Sequence, residues 1–173
     1  MNTQPELRFK DVNGHPLPDW DERRLGDLFD ERSERDCSSL ELLSVTMHEG
    51  VKRRSEIEGK DSSSSDKSNY KRVAVNDIVY NSMRMWQGAC GLSYHEGIVS
   101  PAYTVLIPKD NAQPSFFSYM FKLTPMLHVF QRYSQGLTSD TWNLKYPALS
   151  KINISLPSLP EQQKIADFLG AVD

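Results

Sequence analysis

The run from Ile152 to Asp173, INISLPSLPEQQKIADFLGAVD, constrains this chain more than any other stretch. Ile152, Ile154 and Leu156 alternate with Asn153 and Ser155, the period of a strand with one buried face. Pro157 cannot donate to a ladder, so the strand is expected to close there. A helix must follow. Pro160 suits the first helical turn, Glu161 complements the positive end of the helix, and Ile165, Phe168, Leu169 and Val172 recur on one helical face. That apolar stripe is still running at Val172, with no glycine cap and no basic last turn. A continuation of the helix, or a partner for it, is therefore expected.

The segments ahead of this tail alternate between short strands and loops before the chain turns helical. Residues Met1 to Asp19, with Pro5, Pro16 and Pro18 around Asn13-Gly14, read as an extended lead-in with a turn. Asp19 or Asp21 is expected to cap a short helix carrying Leu25, Leu28 and Phe29 on one side, with Trp20 packed at its start. Leu40 to Thr46 has strand character and is followed by a turn at Glu49-Gly50. Residues Lys52 to Asn69, with a serine run at Ser62 to Ser65, are too poor in apolar side chains to bury much, and are expected to be a mobile surface loop. Ile78-Val79-Tyr80 is a short strand after a turn at Asn76-Asp77. Asn81 to Gly91 carries Arg84 and Trp86 close to Gly88 and Gly91, where the backbone can turn tightly or approach a ligand. Leu92 to Glu96 and Ile98 to Ile107 read as paired strands with Gly97 in the bend. A helix is expected from Pro114, interrupted at Pro125, with Phe116, Phe117, Phe121 and Phe130 in the core. The loop Gln135 to Asn143 is crowded with short hydrogen-bonding side chains.

At 173 residues the chain suits one domain with a helical extension. No apolar run approaches a membrane span, and the polar, acid-bearing stretch Met1 to Lys10 does not read as a secretory signal, so a cytoplasmic location is expected. Two cysteines, Cys37 and Cys90, lie far apart and form no metal-like pair, which suits structural thiols in a reducing compartment. The net charge of -3 is unevenly spread. Residues 1 to 49 hold six basic and twelve acidic side chains, and residues 156 to 173 hold one and three. Residues 50 to 155 hold thirteen basic against eight acidic, so the middle of the chain can favour a polyanion while its flanks face other partners. The histidines His15, His48, His95 and His128 lie in unrelated segments. The chain has no zinc-type histidine pair, phosphate-cradling glycine loop or Gly-x-Ser-x-Gly elbow. Asp77 is expected to stabilise its turn.

Nucleic-acid reading asks for other chemistry: Lys, Arg and short donors on phosphates, and bidentate Arg, Asn or Gln on base edges. Arg84, Gln87, Asn143 and Lys145 are candidate base or backbone readers. Thr138, Ser139 and Thr141 are candidate phosphate donors. Lys52, Arg53, Arg54, Lys71 and Arg72 can supply charge, and Trp86 can stack or pack.

Two stretches carry a family resemblance. The run Leu156-Pro157-Ser158-Leu159-Pro160-Glu161-Gln162-Gln163-Lys164-Ile165-Ala166 resembles the motif that closes a target recognition domain in the DNA specificity subunit of type I restriction-modification enzymes. The order Asp77-Ile78-Val79, Arg84, Gly88, Gly91, then Gly97-Ile98-Val99-Ser100-Pro101-Ala102-Tyr103 is similar to the same family, and Trp20 to Arg35 resembles its opening helix. The resemblance covers roughly Trp20 to Asp173. It implies a mixed α+β fold: a DNA-recognition domain over residues 1–155 and the start of a spacer and dimerisation helix over 156–173, continuing into a coiled coil. It further implies a non-catalytic adaptor that reads one half of a split site on double-stranded DNA. Catalysis would belong to a methyltransferase subunit using S-adenosylmethionine and a restriction subunit using ATP and Mg, with no cofactor in this chain. Ile165, Phe168, Leu169 and Val172 would form the subunit interface, which would also allow a homodimer of half-length chains. Two alternatives stay open, a recognition module cut from a fused restriction-methyltransferase and a protein-interaction module that does not bind DNA.

Overall fold

The computed structural model describes residues 4–173, so the first three residues of the expected lead-in lie outside the described residues. The chain proceeds through β1 (Asp21–Arg24), β2 (Phe29–Glu31), β3 (Leu43–Thr46), β4 (Gly50–Arg53), β5 (Lys71–Val73) and β6 (Ile78–Asn81). It continues through β7 (Cys90–Leu92), β8 (Gly97–Val99) and β9 (Tyr103–Pro108), then α1 (Pro114–Met120), α2 (Thr124–Tyr133), α3 (Tyr146–Leu149), β10 (Asn153–Leu156) and α4 (Leu159–Val172). This is a mixed α+β domain.

The tail strand is met by the start of the chain. β10 pairs antiparallel with β1, Asp21 opposite Leu156 and Arg24 opposite Asn153, and the alternation of buried Ile154 and Leu156 with exposed Asn153 follows the strand period. That pairing overturns the helix expected near Leu25. The amides of Leu25 and Gly26 donate to the carbonyls of Ile152 and Ser150, extending the ladder into a single 3-10 turn, Leu25–Asp27, before β2 begins at Phe29. Leu25, Leu28 and Phe29 are all fully buried, because a 3-10 turn also brings residues three apart to one side. A side chain at Gly26 would meet the Ser150 carbonyl at 2.9 Å, so the close crossing requires glycine.

The central sheet runs β2-β9-β6-β7, antiparallel throughout. It is covered on both faces, which is why Ile78-Val79-Tyr80 and Val105-Leu106 are unbroken apolar runs. Ile78, Tyr80 and Leu106 join the larger core under the helices, where Phe29, Phe117, Phe121 and Phe130 meet in edge-on and tilted pairs with centroids 4.9 to 5.9 Å apart. Val79 and Val105 face a second core with Leu43, Val51, Val73 and Val99. The β3–β4 hairpin lies on β7 so closely that a Cβ on Gly91 would stand 2.5 Å from Gly50 Cα. β7 pairs with β6, β8 with β5, and β9 with β6 and β2, so the stretches Leu92 to Glu96 and Ile98 to Ile107, expected to pair across Gly97, do not pair with each other. Val99 stands opposite Lys71 of β5 and Tyr103 opposite Asn81 of β6. The expected loop from Lys52 also starts later than its polar composition suggested, since Lys52 and Arg53 belong to β4 and Arg54 opens a 3-10 turn. Asp77 holds its turn through the Ala74 amide at 2.8 Å, and also takes Arg32 Nε at 2.7 Å.

Prolines at the first turns of α1, α2 and α4 match the expected helix starts. α4 packs on α1, with Glu161, Gln162 and Ala166 buried and Ile165 against the main core. Its outer side carries Phe168, 55% exposed, and Val172, 68% exposed. The stripe read from the sequence is therefore divided: Ile165 is used inside the domain, Phe168 keeps only an edge contact to Phe9, and Val172 is largely exposed. Among the described residues no helix is long and apolar enough to cross a membrane.

Candidate nucleic-acid interface

The ends of β6 and β9 that carry Asn81 and Tyr103 gather three loops. Ser82 N donates to the Ala102 carbonyl and Leu144 N donates to the Ser82 carbonyl, so the segments after β6, before β9 and before α3 are stitched side by side. Trp86 and Trp142 then meet edge to face, centroids 5.2 Å apart at 77°, and Trp86 Nε1 donates to the Met83 carbonyl at 3.1 Å. Two stretches separated by about a third of the chain thus become one surface. A polar cleft of about 270 Å³ opens beside it, with Ser44, Asn81, Ser100 and Tyr103 in its wall.

The loop from Gln135 to Asn143 is braced by its own short side chains. Gln135 and Asn143 exchange backbone hydrogen bonds at 2.8 Å, Thr141 Oγ1 donates to the Thr138 carbonyl at 3.0 Å, and Asn143 Nδ2 donates to the Gln135 carbonyl at 3.3 Å. At least part of the hydrogen-bonding capacity of Thr138, Thr141 and Asn143 is therefore spent on shaping the loop. Ser139 and Gln87 stand exposed on the same face.

The basic candidates divide sharply by electrostatic surroundings. Lys52 is paired with Glu49 at 2.8 Å, Arg53 with Glu41 at 3.1 Å, and Arg72 with both Glu96 at 2.6 Å and Glu34 at 3.0 Å. The hydrogen bonds that Arg72 donates to Glu96 and Glu34 raise its guanidinium further above its usual range. Arg54 is turned back on the backbone, to the carbonyls of Ile57 and Gly59. Lys52, Arg53 and Arg72 thus carry their own counter-charge, while Arg54 lines the polar cleft with its guanidinium held by backbone carbonyls. Arg84 makes one hydrogen bond, to the Met83 carbonyl, and neither it nor exposed Lys145 has a carboxylate partner among the described residues. Lys71 Nζ donates to the Tyr103 carbonyl at 2.6 Å, on the rim of the same surface.

The closing motif has a structural use that its sequence did not reveal. Glu161 was expected to serve the helix end. It does lie in the first turn of α4, and it is also 1% exposed and accepts from Arg8 Nη2 at 2.7 Å, Arg8 Nε at 3.1 Å and Trp20 Nε1 at 3.2 Å, fastening the N-terminal segment to α4. Gln162 is equally buried. It accepts from the Gln113 amide and donates to the carbonyls of Asn111 and Pro157, tying α4 to the start of α1. Arg8 was missed because nothing local marks it; a buried carboxylate in a helix's first turn, needing a cation, was the one available signal.

The sequence from residue 18 to 173 matches the family model described as the type I restriction modification DNA specificity domain. No curated protein matches the sequence. Among solved structures the fold is similar to the HsdS subunit from Thermoanaerobacter tengcongensis, with a TM-score of 0.56 and 16% identity, over 98% of this chain and 39% of that one. The type I restriction-modification S subunit from M. genitalium aligns with a TM-score of 0.59 and 18% identity, over 98% and 41%. A chain from a structure on complex assembly and conformational transition of the type I R-M system aligns with a TM-score of 0.57 and 16% identity, over 95% and 40%. The chain thus spans about two fifths of the length of the structures it resembles.

Proposed function

The chain belongs to the type I restriction modification DNA specificity domain family, and from that premise we propose that it reads one half of a bipartite target on double-stranded DNA. The observation that carries this reading is the contact between Trp86 and Trp142, which joins the Arg84–Gln87 and Thr138–Lys145 segments into one face. Arg84 supplies a guanidinium free of carboxylates, suited to bidentate contact with a guanine edge, and Lys145 supplies charge for the backbone. Gln87 and Asn143 add amides, while Thr138, Ser139 and Thr141 offer hydroxyls to phosphate oxygens. Trp86 holds the two loops at a fixed spacing rather than stacking on bases. Lys52, Arg53, Arg54 and Arg72, already occupied by partners, contribute to the field more than to contacts.

In this reading residues 1–155 recognise DNA and residues 156–173 begin a helix that spaces half-sites. The exposed Phe168 and Val172, with Leu169, meet an equivalent helix, either in a longer chain or in a second copy. A methyltransferase subunit and a restriction subunit dock on the assembled adaptor and perform the chemistry, in the cytoplasm. This chain's own part is positioning.

The test is selection of bound duplexes from a randomised pool, followed by titration of the selected duplex with wild type and Arg84→Ala. Loss of about 1–3 kcal/mol of discrimination at one base pair is expected. Selection of no sequence by the wild type, or equal affinity of the variant for all duplexes the wild type distinguishes, defeats the reading.

A further inference from the structure

Leu137 is 100% exposed in the loop from Gln135 to Asn143, more open than any other large apolar side chain among the described residues. A lone exposed leucine is ordinary on a protein surface. This one stands on a braced support. Thr138 N donates to Thr141 Oγ1 at 3.2 Å, the amides of Thr141 and Trp142 donate to the Thr138 carbonyl at 2.9 and 3.0 Å, and Gln135 and Asn143 close the base of the loop. Gly136, at φ +132°, passes so near Thr141 that a Cβ would lie 2.7 Å from the Thr141 carbonyl oxygen. Trp142, edge to face with Trp86, then anchors the loop to the segment carrying Arg84 and Gln87. The loop's own bonds thus hold Leu137 out in solvent, on the face that carries the base-reading candidates.

The chemistry of this loop is not that of a charge clamp. Between Gln135 and Asn143 the one charged residue is Asp140, so attraction to phosphates does not account for its place on this face. Leu7 and Val12 are nearly as open, at 92% and 93%, but they belong to the lead-in that Arg8 fastens to α4. An apolar side chain projecting from a braced loop beside a guanidinium and two amides has the form of the wedges that part stacked base pairs. Insertion buries the leucine against base faces and kinks the duplex. The energy needed depends on which step is opened, so such a wedge adds sequence preference without a hydrogen bond.

We propose that Leu137 is a wedge that inserts between neighbouring base pairs of the bound duplex, unstacking and kinking it. The proposal rests on the DNA-reading role above and adds to it a deformation of the DNA, carried by a side chain with neither charge nor hydrogen-bonding group. Pyrimidine–purine steps, which unstack most easily, are the ones it favours.

The test uses the duplex obtained by selection, once with 2-aminopurine at each A·T pair in turn and once end-labelled for energy transfer. Each is titrated with the full chain as wild type, Leu137→Ala, Leu137→Met and, as a control at another open apolar site, Val12→Ala. Wild type, Leu137→Met and Val12→Ala are expected to shorten the end-to-end distance and, where the opened step holds an A·T pair, to raise 2-aminopurine fluorescence there. Leu137→Ala is expected to lose both signals and to bind about tenfold more weakly. Its slope of log affinity against log salt stays that of the wild type, because no phosphate contact is removed. A wild type that binds the duplex with neither signal, or a Leu137→Ala variant that keeps either, overturns the wedge and leaves the DNA-reading role standing. A wild type that selects and binds no duplex overturns both.

Discussion

Glu161 Oε2 lies 2.7 Å from Arg8 Nη2 across 153 residues of chain, and Oε1 takes Arg8 Nε at 3.1 Å, a two-pronged ion pair under the first turn of α4. The carboxylate is 1% exposed and the Arg8 side chain 15%. With Trp20 Nε1 on the same carboxylate, the pair determines how the N-terminal segment is bound and where α4 starts.

Removing one member of this pair leaves a buried charge. Arg8→Ala should cost about 3 kcal/mol of stability, read as a lower urea midpoint at unchanged m-value. Arg8→Lys should recover only part of it, because an ammonium cannot reproduce the fork.

Gly91 is held against Gly50 by backbone on both sides. Gly91→Ala places a methyl 2.5 Å from Gly50 Cα and 2.9 Å from Val51 N, atoms that cannot turn aside. The expected loss is about 1–3 kcal/mol in denaturant unfolding, with the β3–β4 hairpin lifting from β7. An unchanged midpoint would mean the hairpin does not sit on β7 as described.

The two sides of α4 should answer differently to the same change. Ala166→Glu buries an unpaired carboxylate at a site 5% exposed and should destabilise the fold severely. Phe168→Glu should alter stability by no more than about 1 kcal/mol, chiefly by losing the edge contact to Phe9, yet abolish any self-association that light scattering detects in the wild type. Leu169→Glu should also disrupt that association. Self-association surviving in Phe168→Glu would move the interface elsewhere.

Burial pushes the Cys90 thiol up to about 11. In the native chain a thiol reagent at mildly alkaline pH should therefore modify Cys37 and spare Cys90, which lies fully buried in β7. The unfolded chain's thiol ionises at its ordinary value near 9.0 while the folded one stays neutral, so this group's contribution to stability is intact below pH 9 and is lost as pH rises toward 11. Tyr80, also raised by burial, adds a loss of the same sign above pH 10. Unfolding midpoints measured from pH 8 to pH 11 should fall, and Cys90→Ala should flatten the first part of that fall.

Much of the tail and of the helical segment was legible from local chemistry. Proline lacks an amide and fixes its own φ, so Pro114, Pro125 and Pro160 mark helix starts whatever surrounds them. The alternation at Ile152–Leu156 records one-sided burial directly. Leu25, Leu28 and Phe29 were ambiguous, because their spacing suits either an α-helix or a 3-10 turn. The decision belonged to the carbonyls of Ile152 and Ser150, which claim the Leu25 and Gly26 amides from the far end of the chain.

The candidate site shows the same division. Residue types alone nominated candidate loops for nucleic-acid contact, and the family motifs pointed to the DNA specificity domain family that the sequence matches. Composition could count thirteen basic side chains in the middle of the chain, but not which carboxylate each would face. Packing decided that Arg72 lies between Glu34 and Glu96, and that among the described residues Arg84 and Lys145 have no such partner. Local backbone preference and burial period are written residue by residue, and the sequence by itself determined those. Ion pairing acts over a few ångströms of space between segments far apart in the chain, and only the tertiary structure decided which of these charges face a carboxylate and which do not.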